Sequence, residues 1–224
     1  MLVLDDLLID NVKIYQDDEL YRFTSDAVIL SKFASFKKGD VVADFCSGSG
    51  IVGLHFYALN KGVKSVDFIE IQPELASLSQ KTIDYNNLNE IFTVIYKPIQ
   101  KLDSYYNGKY SLILCNPPYK KAGSGEPNGN LKIAMCRHEI TVTQEEIVEV
   151  SAKKLKHGGR LCMCQRTERF TDLICKMVSV GLNPTRIQTV VTKPGGAPYL
   201  FLIEAVKGVK PQFKILPEFV NVGV

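Results

Sequence analysis

A chain of 224 residues, 46% hydrophobic and 23% charged, is long enough for one α/β domain with a full-sized core. No apolar run approaches the roughly 20 residues that cross a bilayer, and the start MLVLDDLLID is acidic, unlike a secretion signal, so a cytoplasmic protein without a membrane partner is expected. The net charge of +3 is uneven: residues 1–96 hold 8 Lys/Arg against 14 Asp/Glu, whereas 97–224 hold 19 against 10, which suits a polyanionic substrate or is simply a solvated basic surface.

Residues 7–22 read as an irregular or hairpin-like lead-in. Asp26 to Phe36 has apolar residues at helical spacing behind three competent caps, Thr24, Ser25 and Asp26. Lys37-Lys38-Gly39-Asp40 ends that helix, and Val41 to Phe45 follows as a short apolar strand. It runs into Cys46-Ser47-Gly48-Ser49-Gly50-Ile51-Val52-Gly53 and a helix to about Asn60. A second strand, Ser65 to Ile71, precedes a helix opened by Pro73 and closed near Tyr85. Strands at Ile91 to Tyr96 and Tyr110 to Cys115 come next, then a Gly- and Lys-rich loop over 120–130. Thr143 with Glu146 forms a capping box for a helix to about Leu155, followed by a strand from Arg160 to Cys164 and a helix from Phe170 to Val180. The last two strands, Thr185 to Thr192 and Tyr199 to Val206, are separated by only Lys193 to Pro198. Six residues cannot hold a crossover helix, so that pair is antiparallel. Helices on both faces of a mostly parallel sheet are expected, in one domain over 1–224, with 1–38 as lead-in and 39–224 as core.

Two stretches point to chemistry. Gly48-x-Gly50-x-x-Gly53 between a strand and a helix allows a tight turn and close approach of a ligand to backbone N–H groups. Glu70, twenty residues past Gly50 at the end of the next strand, is placed to accept from both hydroxyls of a ribose. Together they indicate an adenosine-containing cofactor; a tight turn beside a stray Glu is the plainer alternative. NAD fits the glycines and Glu70, but Asp44 directly before the turn repels a pyrophosphate and attracts an ammonium, which favours S-adenosyl-L-methionine. Asp44 could instead only orient the loop's amides.

The second stretch is Asn116-Pro117-Pro118-Tyr119. Two prolines cannot continue a ladder, so the chain leaves the sheet there, at the edge where open α/β sheets bind ligands. An Asn oxygen, spare main-chain carbonyls and a flat Tyr suit a planar group bearing an NH2; the same residues are also a good turn. Cysteines 46, 115, 136, 162, 164 and 175 include one Cys-x-Cys and no Cys-x-x-Cys, so neither a zinc site nor a disulfide frame is indicated and no metal is expected. Cys162 and Cys164 read as small core residues on one strand face.

These residues resemble class I S-adenosylmethionine-dependent methyltransferases with the amino-methylating Asn-Pro-Pro-Tyr signature. Over nearly the full length the chain is similar to the bacterial tRNA (adenine-N6)-methyltransferase family acting beside the anticodon of valine tRNA. Tyr21 to Leu30, Asp44 to Gly53, Asn116 to Tyr119, Arg137-His138-Glu139 and Ile215-Leu216-Pro217 bear the likeness. The resemblance implies a Rossmann-like α/β fold, a mostly parallel seven-stranded sheet with a terminal antiparallel strand. It implies that Asp44, Cys46, Ser47, Gly48 and Gly50 line the methionine half of S-adenosyl-L-methionine, that Glu70 and Ile71 meet its ribose, and that Thr24, Ser25 and Asp26 close over the methionine end. For Ser25 plain helix capping is an equal alternative. Many relatives carry an Asp after the third strand that accepts from the cofactor's adenine. Here Lys97-Pro98-Ile99 stands in its place and Asp103 is the nearest carboxylate.

The catalytic set implied is Asn116, Pro117, Pro118 and Tyr119, with the Asn116 side chain and the Pro117 carbonyl accepting the target amine and Tyr119 stacking on the base. Lys120, Lys121 and Arg137, with Lys132, Arg166 and Arg169, are candidate phosphate contacts; each is otherwise a solvated charge. His138 is at least as well explained by a structural hydrogen bond. The expected partner is RNA, a tRNA anticodon loop, whose bases are already partly unstacked. Methylation of an rRNA base or a protein glutamine, an NAD-dependent oxidoreductase and a non-catalytic RNA-binding protein are the alternatives. Nothing in the sequence sets an oligomeric state.

Overall fold

A computed structural model describes residues 1–20, 22–119, 141–210 and 212–222. The elements in chain order are β1 (Leu2–Asp6), β2 (Lys13–Asp17), α1 (Ser25–Phe33), β3 (Val41–Phe45), α2 (Ile51–Leu59), β4 (Ser65–Glu70), α3 (Pro73–Tyr85), β5 (Phe92–Tyr96), β6 (Tyr110–Cys115), α4 (Gln144–Lys154), β7 (Leu155–Arg166), α5 (Phe170–Ser179), β8 (Leu182–Val191), β9 (Leu200–Lys207), β10 (Lys214–Ile215) and β11 (Phe219–Val220). The lead-in is a hairpin, β1 with β2, that begins earlier than residue 7. It rests on α3: the Tyr15 and Lys13 amides donate to Thr82 Oγ1 and Asn86 Oδ1, both at 3.0 Å.

The main sheet runs β5-β4-β3-β6-β7-β9-β8, with β10 and β11 both pairing with β8. β3, β4, β5, β6 and β7 are mutually parallel, and β9 is antiparallel to both of its neighbours. The expected seven strands are present, with two short tail strands added. The antiparallel strand is the last of the seven in sequence, as expected, and it lies between β7 and β8. The crossover through α5 sets β8 parallel to β7 but one strand-width away, and the hairpin return fills the gap with β9.

The central strands are buried on both faces, as parallel strands covered by helices must be; all six residues of β6 are buried. Alternation sorts their side chains. Leu112 and Leu114 join α1 and α2 in one apolar cluster, while Ile113 and Cys115 join α4 and α5 in the other. The capping box forms, with the Glu146 amide on Thr143 Oγ1 (3.2 Å) and the Thr143 amide on Glu146 Oε2 (2.8 Å).

Where the chain enters β3, Asp40 is buried beside Arg160 of β7, Nη2 to Oδ2 2.6 Å. Asp40 also accepts from the Ser111 hydroxyl (2.6 Å) and the Lys37 amide (2.8 Å), and Arg160 donates to the Ser35 carbonyl (3.1 Å). This knot joins α1, β3, β6 and β7 at the sheet edge opposite the site. No helix among the described residues is long and apolar enough to cross a membrane.

Candidate active site

The carboxyl ends of β3, β4, β6 and β7 open on a cavity of about 1170 Å³. Its floor is the turn after β3. Cys46, Gly48 and Gly50 all have positive φ (57°, 57° and 87°), which curls the chain sharply into α2. A Cβ on Gly50 would lie 2.6 Å from the Phe68 ring, and one on Gly53 2.7 Å from it, so both glycines let α2 press against β4. Gly48 differs: a Cβ there meets nothing within 4 Å, and the residue lies in the cavity wall with Cys46 and Ser47. Gly50 therefore does not line the cavity as expected; it holds the turn from behind.

Asp44 also faces away. Strand alternation puts it, like Val42, on the α2 side, where Oδ2 accepts from the Gly53 amide at 2.8 Å. Its side chain is wholly buried and is not part of the cavity wall, so it braces the loop instead of meeting a ligand's ammonium through open space. Burial pushes its carboxyl up to about 7, against the Gly53 hydrogen bond and with repulsion from Glu70 adding to the rise. Between 3.8 and about 7 the folded chain holds this proton and the unfolded chain does not, so Asp44 makes folding weaker as pH rises. His55, buried against Ser31 Oγ (2.7 Å) and lowered to about 4, has the opposite slope. Comparison with Asp44→Asn cancels the histidine. In urea unfolding from about pH 4 to 7 the variant should gain on the parent and then hold its lead; a constant difference would contradict the assignment.

Glu70 lies in the cavity wall, buried at the end of β4. Its oxygens accept from the amides of Gly48 (2.8 Å), Ile71 (2.9 Å) and Gln72 (2.9 Å). Burial raises its carboxyl pKa and the three amides oppose the rise. A carboxylate has about four acceptor sites, so a diol meeting Glu70 shares it with these amides or displaces one. Ile71, Lys97, Pro98, Ile99 and Gln100 continue the wall. Asp103 is outside it and caps a short helix, accepting from the Tyr105 amide at 2.9 Å.

The prolines bring Asn116 and Tyr119 into the same cavity. Asn116 Oδ1 accepts from the Tyr119 hydroxyl at 2.5 Å and from the Cys164 thiol at 3.0 Å. The Tyr119 hydroxyl is also 3.4 Å from Asp26 Oδ2, and Asp26 Oδ1 accepts from Tyr199 at 3.4 Å. Asn221 donates to the hydroxyls of Tyr199 (2.7 Å) and Ser25 (2.9 Å). Ser25 thus fastens the carboxyl-terminal segment and lies outside the cavity wall, whereas Thr24 and Asp26 are within it. Thr24 is the N-cap of α1 but makes no side-chain capping bond. Burial raises the Asp26 pKa, against the attraction of Arg166 and the two tyrosines.

Arg166 lies over two rings, 5.1 Å from the centroid of Tyr119 and 5.4 Å from that of Tyr199. One face of Tyr119 is therefore covered, and a base stacking on it uses the other face or displaces Arg166. Arg169 is buried beside Glu145 (3.6 Å) and, like Arg166, is part of the cavity wall. Cys164, Tyr199 and Asn221 carry no signal of the site in the sequence; strand pairing and the path of the tail bring them to it. Lys120, Lys121, Arg137, Lys132 and His138 lie outside the described residues. Among those described, no cluster of three or more His, Cys, Asp or Glu is set to hold a metal ion.

The donor set fits S-adenosylmethionine on two structural observations. The Ser47 hydroxyl, in the cavity wall, is buried with no hydrogen-bond partner, as is Asp44 Oδ1 beneath the same loop. Gly48 leaves open space beside them. Ser47, Gly48, Glu70 and Ile71 are the residues that would hold it.

The chain is similar to known proteins in sequence and in fold. A Tolumonas auensis protein named tRNA1(Val) (adenine(37)-N6)-methyltransferase is 25% identical over 188 residues, 84% of this chain and 77% of the relative. A protein of the same name from Bacteroides thetaiotaomicron is 24% identical over 190 residues, 85% and 78% of the two chains. In fold, the chain is similar to the Methanocaldococcus jannaschii tRNA m1G37 methyltransferase, with a TM-score of 0.61 at 17% identity over 92% of this chain and 55% of that one. It is also similar to the geranyl diphosphate C-methyltransferase of Streptomyces coelicolor, with a TM-score of 0.59 at 12% identity over 82% and 77%. The model of the methyltransferase small domain matches residues 23–178, most of the chain, and the protein belongs to that family of methyltransferases.

Proposed function

We propose that this enzyme methylates N6 of an adenine in tRNA, with S-adenosylmethionine as donor, and that its target is adenine 37 in an anticodon loop. The observation that supports it most is the Asn116 side-chain oxygen, set in the cavity wall by a double-proline corner at the end of β6. The relatives' names supply the nucleotide and the RNA. Asn116-Pro117-Pro118-Tyr119 is read as the family's amino-methylating signature.

The exocyclic amine of adenine is a weak nucleophile because its lone pair is delocalised into the ring. Asn116 Oδ1 and the Pro117 carbonyl accept its two N–H bonds, which favours a pyramidal nitrogen and stabilises the positive charge that develops on it. That is preorganised electrostatics and positioning, with no side-chain base; the proton that N6 sheds after gaining the methyl group passes to water. When bound, S-adenosylmethionine supplies a methyl group made electrophilic by its sulfonium. A cavity of about 1170 Å³ is large enough to hold both a cofactor of that size and a nucleotide. An unpaired loop base enters at low unstacking cost.

The test is incubation with methyl-tritiated donor and, separately, bulk tRNA, rRNA and release-factor protein, followed by nucleoside analysis. Label recovered from tRNA as N6-methyladenosine is expected. Label confined to rRNA or protein would replace this reading.

A further inference from the structure

The Asn116 oxygen has two lone pairs, and in this structure both are used, by the hydroxyl of Tyr119 and the thiol of Cys164. An incoming amine needs one of them. The two donors, which also touch each other (Tyr119 Oη to Cys164 Sγ, 3.2 Å), sit in different surroundings. Cys164 is fully buried within β7, paired opposite Leu202 of β9 while its neighbour Met163 pairs with Cys115 of β6. Tyr119 is only half buried, beyond the prolines and in the cavity wall. Burial pushes the Cys164 thiol up to about 12, so it remains the S–H form that can donate.

We propose that Cys164 is a positioning residue that keeps the Asn116 oxygen aimed at the substrate, while the Tyr119 hydroxyl holds the amine's place and yields it when substrate arrives. This rests on the acceptor role given to Asn116 above. The χ2 angle of Asn is broad and roughly two-fold. Without the thiol the carboxamide can turn its NH2 toward the amine, setting donor against donor. No chemistry occurs at sulfur; the thiol acts by holding Asn116, and it also lies 3.2 Å from the Tyr119 hydroxyl.

Two variants and two readouts test it. Cys164→Ala deletes the donor and keeps the site apolar; Cys164→Ser keeps a donor and makes the site more polar. In 15N-labelled protein the Asn116 carboxamide signals, assigned by their loss in Asn116→Ala, should be one sharp pair in the parent and in Cys164→Ser, and broadened or doubled in Cys164→Ala. In tritium transfer to tRNA, Cys164→Ala should lose about tenfold in kcat with the affinity for S-adenosylmethionine unchanged, because a weak S–H···O bond is lost but the misplacement it permits is costly. Cys164→Ser should recover to within about threefold of the parent. A purely packing role predicts the reverse order, with serine no better than alanine. Unchanged carboxamide signals in Cys164→Ala overturn the proposal whatever the rates, and so does serine at or below alanine in kcat. The two readings fail separately. If Asn116→Ala transfers at the parent rate, the acceptor role falls and the thiol's role with it. If Asn116→Ala is impaired and Cys164→Ala is not, only the thiol's role falls.

Discussion

Asn116→Ala should lower the rate of methyl transfer by about 10²–10³-fold, the usual cost of deleting one preorganised polar group at a site of developing charge. The loss should be in turnover and not in cofactor binding. Ser47, Gly48, Glu70 and Ile71 are the residues that would hold the cofactor, and the hydrogen bonds of Glu70 go to the amides of Gly48, Ile71 and Gln72, away from Asn116. Alanine leaves Pro117 and Pro118 to turn the chain at the end of β6, so the corner and the Pro117 carbonyl remain. Residual transfer is therefore expected. Single-turnover tritium transfer gives the rate, and calorimetry with S-adenosylmethionine gives the affinity. A large loss of affinity would move Asn116 from the substrate side of the reaction to the cofactor side.

The largest effect on stability should come from Arg160→Met. Arg160 and Asp40 are 2% and 3% exposed, so neither charge has water to fall back on. Removing the guanidinium leaves a buried carboxylate held, among the described residues, by Ser111 and the Lys37 amide, at a cost of about 3–5 kcal/mol in unfolding free energy. Methionine keeps most of the volume, so the loss is electrostatic in origin and not a cavity effect. Adding Asp40→Asn should then restore part of it, because the orphaned charge is gone; the two residues touch, so their effects will not add. Urea titration of the parent, the two single variants and the double variant measures both statements.

Much of the local structure is legible in the sequence because its causes are local. Pro73 at the first position of α3, the Thr143–Glu146 box and the glycines after β3 each act within a few residues. Sheet order is another matter. Nothing between Lys193 and Pro198 tells the hairpin to insert β9 beside β7 instead of leaving it at the edge; that depends on where α5 sets β8. The site divides the same way. Glu70 and Asn116 are legible because strand ends face the cavity. For Asp44 and Gly50 the motif points to the cavity, although alternation along β3 already puts Asp44 on the side of Val42, under α2. The cluster of Asp26, Tyr119, Cys164, Tyr199 and Asn221 joins five separate segments, and no spacing in the chain could have announced it.

The account stands on Asn116 taking a hydrogen bond from the base that is methylated. The most direct measurement is a crystal structure of the protein with S-adenosylhomocysteine and an RNA hairpin carrying the target adenine. The expected result is adenine N6 within about 3.2 Å of Asn116 Oδ1, with the Tyr119 hydroxyl moved off that oxygen and the Cys164 thiol still on it. An adenine bound beside the cofactor's sulfur with its N6 turned away from Asn116, and Tyr119 still bonded there, would contradict it.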